Sequence, residues 1–318
     1  MSLDLPLAIG GLLVGIVVGL TGMGGGALMT PMLVFFAGIE PLTAISSDIV
    51  ASLFMKPAAS FVHLRRGTVN LGLVGWLCVG SVPAAFIGAW FIGQIPPGER
   101  LDEALRRLLG VALLVSTAGL VVRATLQMTR HRLPLGEGPA EVTQPPQVAV
   151  RPVRTVLLGA AAGFMVGVTS VGAGSIIIVA LLLMYPALKA SSLVGTDLTQ
   201  AIPLVASAAV GHLLFGSFSL VVAASLLVGA IPGAWIGAQV SSRAPGGLIR
   251  RVLAVLLLAS GLKLLGVPTE GVFVSVGVLI LLGVVAWVVI RGRATRATAI
   301  AASAATSPES PRIDVSAS

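Results

Sequence analysis

Apolar stretches of about 20 residues, the length that crosses a bilayer core, recur from Pro6 to Ile290 with only short polar breaks. The 318-residue chain is 56% hydrophobic and only 10% charged, and its mean hydropathy of +1.03 exceeds what a soluble core requires. Most of its surface must therefore face lipid. Since a bilayer offers backbone groups no water to bond, the recurring stretches predict an all-α, polytopic transmembrane protein.

An internal repeat divides the chain. The segment Gly19 to Gly26 aligns with Gly167 to Gly174 at an offset of 148 residues. At an offset of 149, five pairs of identical Asp, His, Gly or Pro residues keep register over the next 40 or so positions, which chance explains poorly. The matched pairs are Asp48 with Asp197, His63 with His212, Gly67 with Gly216, Pro83 with Pro232, and Gly88 with Gly237.

The repeat predicts two equivalent halves, each with a glycine-broken segment followed by three transmembrane helices, and one extra helix at the C-terminal end. The first half is 1–122, with its broken segment at 5–37 and helices near 41–63, 70–93 and 104–122. A polar linker, 123–154, precedes the second half, 155–266, whose broken segment is 153–185 and whose helices lie near 189–212, 217–240 and 248–265. The additional transmembrane helix, near 271–290, lies within 267–291, and 292–318 form a disordered basic tail.

Basic residues predict the orientation of the two halves. If each broken segment is re-entrant, three crossings per half leave the halves inverted, and 15 of the 20 basic residues fall on one side. If the broken segments crossed, the halves would be parallel and the arginine-rich tail would end outside. The asymmetry favours inverted repeats with a cytoplasmic linker and C-terminus. The 15 residues are Arg65, Arg66, Arg123, Arg130, Arg132, Arg151, Arg154, Lys189, Arg243, Arg250, Arg251, Arg291, Arg293, Arg296 and Arg312. Because they are spread over loops and helix ends, the net charge of +8 does not indicate a nucleic-acid partner.

The glycine-rich turns indicate a ligand site. Arms of about 12 to 15 residues are too short to span the bilayer, so each arm should stop inside it. Half-helices starting at Gly26 or Gly174 would point their N–H groups and positive dipole ends into a cavity, which favours a small anion. The alternative is that the glycines only permit close helix packing. The predicted substrate-binding residues are Thr21, Gly22, Gly24, Gly25, Gly26, Thr169, Ser170, Gly172, Gly174, Ser175 and Gln200.

Three charged residues lie within apolar helices. Asp48 and Asp197 are candidates for proton or cation coupling or for organising the glycine turns, and the alternative is an interfacial helix cap. Lys56 could attract the anion or neutralise a carboxylate, or could extend to the interface; its counterpart in the repeat is Val205. Gln200 could donate to an oxyanion or tie two helices together.

The two repeated histidines, His63 and His212, stand near helix ends. We expect them to cap carbonyl groups rather than relay protons.

The residues Gly19 to Thr30, Ser46 to Lys56, Gly167 to Ser175 and Gly195 to Gln200 resemble those of the TauE/SafE sulfite-exporter family, over roughly residues 5 to 266. The resemblance implies secondary transport of sulfite, organosulfonates or related small anions across the bacterial plasma (inner) membrane. The long linker and the extra helix depart from the family pattern.

We therefore expect an anion exporter powered by the proton gradient or the membrane potential. The alternatives are a cation or metal-ion carrier using Asp48 and Asp197, or a non-transporting membrane scaffold. The sequence contains no metal-ligand cluster, no nucleotide-binding loop and no evident nucleophile with its base, so we expect no metal, no cofactor and no enzymatic activity.

Overall fold

The computed structural model describes residues 4–21, 25–65, 67–130, 149–171, 173–186, 188, 190–241 and 246–283. These residues are all helical or in turns, which confirms the all-α prediction. Ten helices follow in order: α1 (Leu5–Thr21), α2 (Gly26–Phe36), α3 (Pro41–Arg65), α4 (Leu71–Gly93), α5 (Glu99–Arg130), α6 (Pro152–Thr169), α7 (Ala173–Met184), α8 (Ala190–Phe215), α9 (Leu220–Ser241) and α10 (Gly246–Leu264).

All six helices expected after the two broken segments are present, with one notable difference in length. The third was expected to end at residue 122, yet α5 continues to Arg130. Arg123, assigned to the polar linker from the sequence, is instead a buried residue of this helix. Good helix formers on either side of it, such as Ala124 and Leu126, let the helix continue past a single charge.

In each broken segment the arm before the glycine-rich turn is longer than the arm after it, as the sequence predicts. α1 has 17 residues and α2 has 11, while α6 has 18 and α7 has 12. The first arms are therefore longer than predicted, and α6 is among the five described helices that are long and apolar enough to cross a membrane. Only α2 and α7 are clearly too short to cross.

Helices of one half pack against helices of the other within a single compact unit, Met1–Thr269. The first helix of each half lies against the fourth helix of the other, so that α1 packs on α9 and α6 packs on α4. Matched glycines permit both contacts: a Cβ on Gly229 would overlap the backbone of Ala8, and a Cβ on Gly80 would overlap that of Val156. Small residues let helix backbones approach closely in a membrane.

The third helices of the halves, α3 and α8, pack against each other in opposite directions. Near the start of α3, Ser46 contacts His212 near the end of α8 at 2.9 Å. Further along α3, Ser60 contacts Thr199, which lies nearer the start of α8, also at 2.9 Å. Equivalent helices of the two halves are thus antiparallel in this pair.

The second unit begins at Glu270. Its described part belongs to an apolar helix, Thr269–Gly283, where the sequence predicts the additional transmembrane helix. The residues 284–290 of that prediction, the basic tail and residues 131–148 of the predicted linker lie outside the described residues.

Candidate functional site

The start of α2 meets the end of α6 in the interior. α2 begins at Gly26, after Gly25, which has no side chain to cap the helix. A Cβ on Gly26 would overlap the carbonyl oxygen of Ser170, which ends α6 in the other half. Ser170 has a φ of 59°, the only positive φ of a non-glycine residue in the described ranges. The turns therefore touch through backbone atoms, and position 26 has no space for a side chain.

Asp48 connects α2 to the end of α6. Its side chain is fully buried in the third turn of α3. Its Oδ2 accepts hydrogen bonds from the hydroxyl of Thr30 in α2, at 2.7 Å, and from that of Ser170, at 2.8 Å. Its Oδ1 accepts a longer bond from Ser52, at 3.4 Å. The carboxylate thus contacts hydroxyl groups from both halves and does not cap its own helix at an interface.

Asp197 lies in the same register of α8 but has different neighbours. It is buried, and its Oδ1 accepts a bond of 3.4 Å from the side-chain amide of Gln200. The carbonyl oxygen of that amide accepts a bond from Ser81 in α4, at 3.2 Å. The second carboxylate oxygen of Asp197, Oδ2, would lie 3.2 Å from a Cβ built on Gly174, in the first turn of α7. Asp197 therefore faces the start of the second half-helix.

Lys56 is a half-buried residue two turns after Asp48 on α3. Its ammonium group interacts electrostatically with both Asp197 and Asp48, with the larger contribution from Asp197. Arg123 of α5 also acts on Asp197. The hydrogen-bond partners of Asp48 are hydroxyl groups, whereas that of Asp197 is a side-chain amide.

His212 connects α8 to the end of α6. It is fully buried, and its Nε2 lies 2.7 Å from the carbonyl oxygen of Gly167. Since that carbonyl can only accept, Nε2 carries the proton. The ring thus caps a carbonyl, as expected, and this carbonyl lies in the last turn of α6 rather than in α8. In the first half, the Nδ1 of His63 contacts the hydroxyl of Thr68, at 3.0 Å.

The predicted site residues divide into three groups. Those at the meeting of the turns or at the carboxylates are Gly25, Gly26, Ser170, Gly174, Gln200, Asp48, Asp197 and Lys56. The hydroxyl of Thr169 instead bonds carbonyl groups of its own segment, those of Met165 and Val171. Gly22, Gly24, Gly172 and the side chains of Thr21 and Ser175 lie outside the described residues.

Three hydroxyl residues of the site, Thr30, Ser52 and Ser81, were missed by the sequence analysis. Ser52 has a recognisable signal, because it follows Asp48 by four residues and so lies on the same helix face. Thr30 likewise follows Gly26 by four residues along α2. Ser81 contacts Gln200 across 119 residues of sequence, and no local pattern indicates that contact.

Comparisons with known proteins agree on one family. The family model for the sulfite exporter TauE/SafE matches residues 7–264. YjnA of Bacillus subtilis (strain 168), a probable membrane transporter protein, is 34% identical over 80% of this chain and 97% of its own length. YdhB of the same strain, also a probable membrane transporter protein, is 26% identical over 80% of this chain and 96% of its own. A probable membrane transporter protein of Xylella fastidiosa (strain Temecula1 / ATCC 700964) is 28% identical over 81% of this chain and 93% of its own. No solved structure matches the chain.

Proposed function

The chain belongs to the TauE/SafE sulfite exporter family, and from that premise we propose that it exports sulfite, an organosulfonate or a related small sulfur-containing anion across the bacterial plasma membrane. Membership makes the protein a multi-pass membrane transporter rather than an enzyme. The substrate, the direction and the site are our proposal.

The contact between Gly26 and Ser170 is the observation that carries the proposed site. It brings the start of α2 against the end of α6, three residues before α7 begins, and we propose that both half-helix N-termini face the substrate there. Each such end carries unpaired N–H groups and about half a positive charge. Broken helices with ends converging in this way are typical of anion sites in secondary transporters.

The antiparallel packing of α3 on α8 supports an inverted relation between the halves. Two equivalent helices of 25 and 26 residues that run in opposite directions are expected if the second half is inverted in the membrane. The distribution of basic residues adds the proposal that the linker and the C-terminus are cytoplasmic. In either orientation of the protein, an anion that moves without a proton has its exit favoured by the negative interior potential by about 2.3 kcal/mol per charge per 100 mV.

Lys56 supplies positive charge for the proposed site. It acts electrostatically on both carboxylates, and a lysine in a membrane segment is costly unless it is used. We propose that it balances Asp197 and raises the local preference for an anion. The absence of an equivalent lysine at Val205 makes the proposed site asymmetric.

The proposal is tested by flux measurements on the purified protein in proteoliposomes. Sulfite, sulfate, thiosulfate and methanesulfonate are loaded in turn, with sodium and potassium flux as the test of the cation-carrier alternative. We expect efflux of at least one sulfur-containing anion and no cation flux. Cation flux without anion flux would support a carrier based on Asp48 and Asp197 and would contradict the proposal.

Two matched glycine variants locate the site. A Cβ at Gly25 meets only ordinary contacts, the nearest being Met29 at 3.6 Å, so Gly25→Leu should fold and place its bulk at the turn. Gly75→Leu, on the exposed face of α4 with nothing within 4 Å, is the control. We expect Gly25→Leu to abolish anion flux and Gly75→Leu to leave it unchanged; equal flux in the two variants would exclude the turn as the substrate site.

A further inference from the structure

The protein's own carboxylates occupy the positions that a bound anion would need. Ser170, one of the hydroxyl donors assigned to the substrate, donates to Asp48 at 2.8 Å. Gln200, another assigned donor, donates to Asp197 at 3.4 Å, and Asp197 also faces Gly174 at the start of α7. The donors of the proposed site are thus already bonded to anions, although these anions are covalently part of the protein.

The position of Asp48 has no structural explanation in its own helix. A capping aspartate accepts from an N–H two or three residues further along at the helix start, whereas Asp48 lies in the third turn of α3 and accepts from hydroxyls of three separate segments. Burying a carboxylate costs a large free energy unless it is compensated. Three neutral hydroxyls compensate it only in part.

We propose that Asp48 is a tethered anion that holds the substrate position in the empty transporter, and that a proton must neutralise it before the substrate anion binds. The inference rests on the anion site proposed above. The proton comes from the solution on the side from which the anion enters, and both leave together on the other side. Once protonated, the carboxyl group carries an O–H donor, so it can bond a substrate oxygen in place of competing with it.

This coupling has an energetic consequence for transport. A monoanion that moves with one proton carries no net charge, so its flux is independent of the membrane potential. Export then proceeds while the outward gradient of the anion exceeds the inward gradient of protons.

The charged groups around Asp48 are few. Of the helices packed on α3, α2 and α9 contain no titratable residue. α8 contributes Asp197 and His212, α5 contributes the buried Arg123, and α3 itself contributes Lys56. His212 is held by Ser46 and Gly167. Asp48 is the carboxylate that bonds both Ser170, a donor assigned to the substrate, and Thr30 of α2, and we assign the exchangeable proton to it.

The test compares wild type with Asp48→Asn and, as the matched control, Asp197→Asn. Anion binding to the purified full-length protein is measured calorimetrically in buffers of different ionisation enthalpy, which counts the protons taken up. Sulfite is one probe, and methanesulfonate is a second whose own charge is constant with pH. Flux is then measured in proteoliposomes with and without an imposed potassium diffusion potential.

We expect wild type to take up about one proton per anion, with affinity falling about tenfold per pH unit once Asp48 is ionised. Asp48→Asn should bind the anion without proton uptake, and its flux should become dependent on the membrane potential. Asp197→Asn should keep the proton uptake. The proposal is overturned if Asp48→Asn keeps proton uptake and potential-independent flux, or if Asp197→Asn alone loses them.

Thr30→Val provides a second variant in case Asp48→Asn does not fold. It removes the 2.7 Å bond that holds the carboxylate in place, so we expect severalfold tighter anion binding with proton uptake retained. Weaker binding would mean that Asp48 organises the turns for the substrate rather than competing with it. If wild type binds neither probe and transports no anion, the proposed function itself fails; if it binds them without taking up a proton, only this inference fails.

Discussion

The two buried aspartates occupy equivalent positions in the two halves but differ in what surrounds them. Asp48 accepts from three hydroxyl groups, two of them on other segments. In the second half, the counterparts of Thr30 and Ser52 are the apolar residues Ile178 and Ala201, and Asp197 has an amide donor and electrostatic contacts with Lys56 and Arg123 instead.

From this difference we infer that Asp48 and Asp197 have different roles. The repeat supplies two carboxylates at equivalent positions, and the side chains around them differ between the halves. The carboxylate among hydroxyls, which can donate or accept, is suited to change its protonation state.

The largest expected effect is a difference in stability between substitutions at Gly26 and at Gly174, where the two half-helices start. A Cβ on Gly26 overlaps the backbone of Ser170, whereas one on Gly174 meets only the side-chain oxygen of Asp197, at 3.2 Å. We expect Gly26→Ala to lower the free energy of unfolding by at least about 3 kcal/mol and Gly174→Ala by about 1 kcal/mol or less. Unfolding in detergent micelles measures both. Equal losses would show that the contact between the turns is no closer than the contact at Asp197.

A smaller difference in stability is expected between substitutions of the two repeated histidines, His212 and His63. His212 is fully buried with both ring nitrogens bonded, while His63 is half-buried and its Nδ1 pairs with a residue five positions away. We expect His212→Ala to cost about 2 kcal/mol, because it leaves the carbonyl of Gly167 and the hydroxyl of Ser46 without their partner, and His63→Ala to cost about 0.5 kcal/mol.

The histidine comparison has a conservative control. His212→Gln retains one N–H donor and one acceptor and should recover part of the lost stability. No recovery would indicate that ring packing, rather than the bond to Gly167, stabilises the end of α6.

The smallest expected effect is that of Ser52→Ala, which makes the surroundings of Asp48 more like those of Asp197. Ser52→Ala installs the residue found at the equivalent position 201 and removes a bond of 3.4 Å. Because that bond is long, we expect a loss of only about 0.5 kcal/mol in the free energy of unfolding. A loss several times larger would place Ser52, with Thr30 and Ser170, among the main partners of Asp48.

Much of the site was predictable because the repeat marks residues twice. Asp48 and Asp197 could be identified as a matched pair, and the glycine turns could be placed at corresponding points of the two halves. The partners Thr30 and Ser81 could not, because a hydroxyl in an apolar helix has several possible roles and its bond depends on which helix packs beside it. Arg123 was misplaced because a charge at the end of an apolar stretch usually marks the membrane boundary.

The sequence alone determined that the chain is helical, lies in a membrane and repeats itself, because hydrophobic length and register are local properties that lipid enforces on each segment. Only the tertiary structure decided that α1 pairs with α9 and α6 with α4, that the two turns touch at Gly26 and Ser170, and that a carboxylate of one half bonds the turn of the other. The physical reason is that these contacts join residues far apart in the sequence, such as Gly80 and Val156, and depend on close backbone approach, which the spacing of apolar residues along a single helix does not specify.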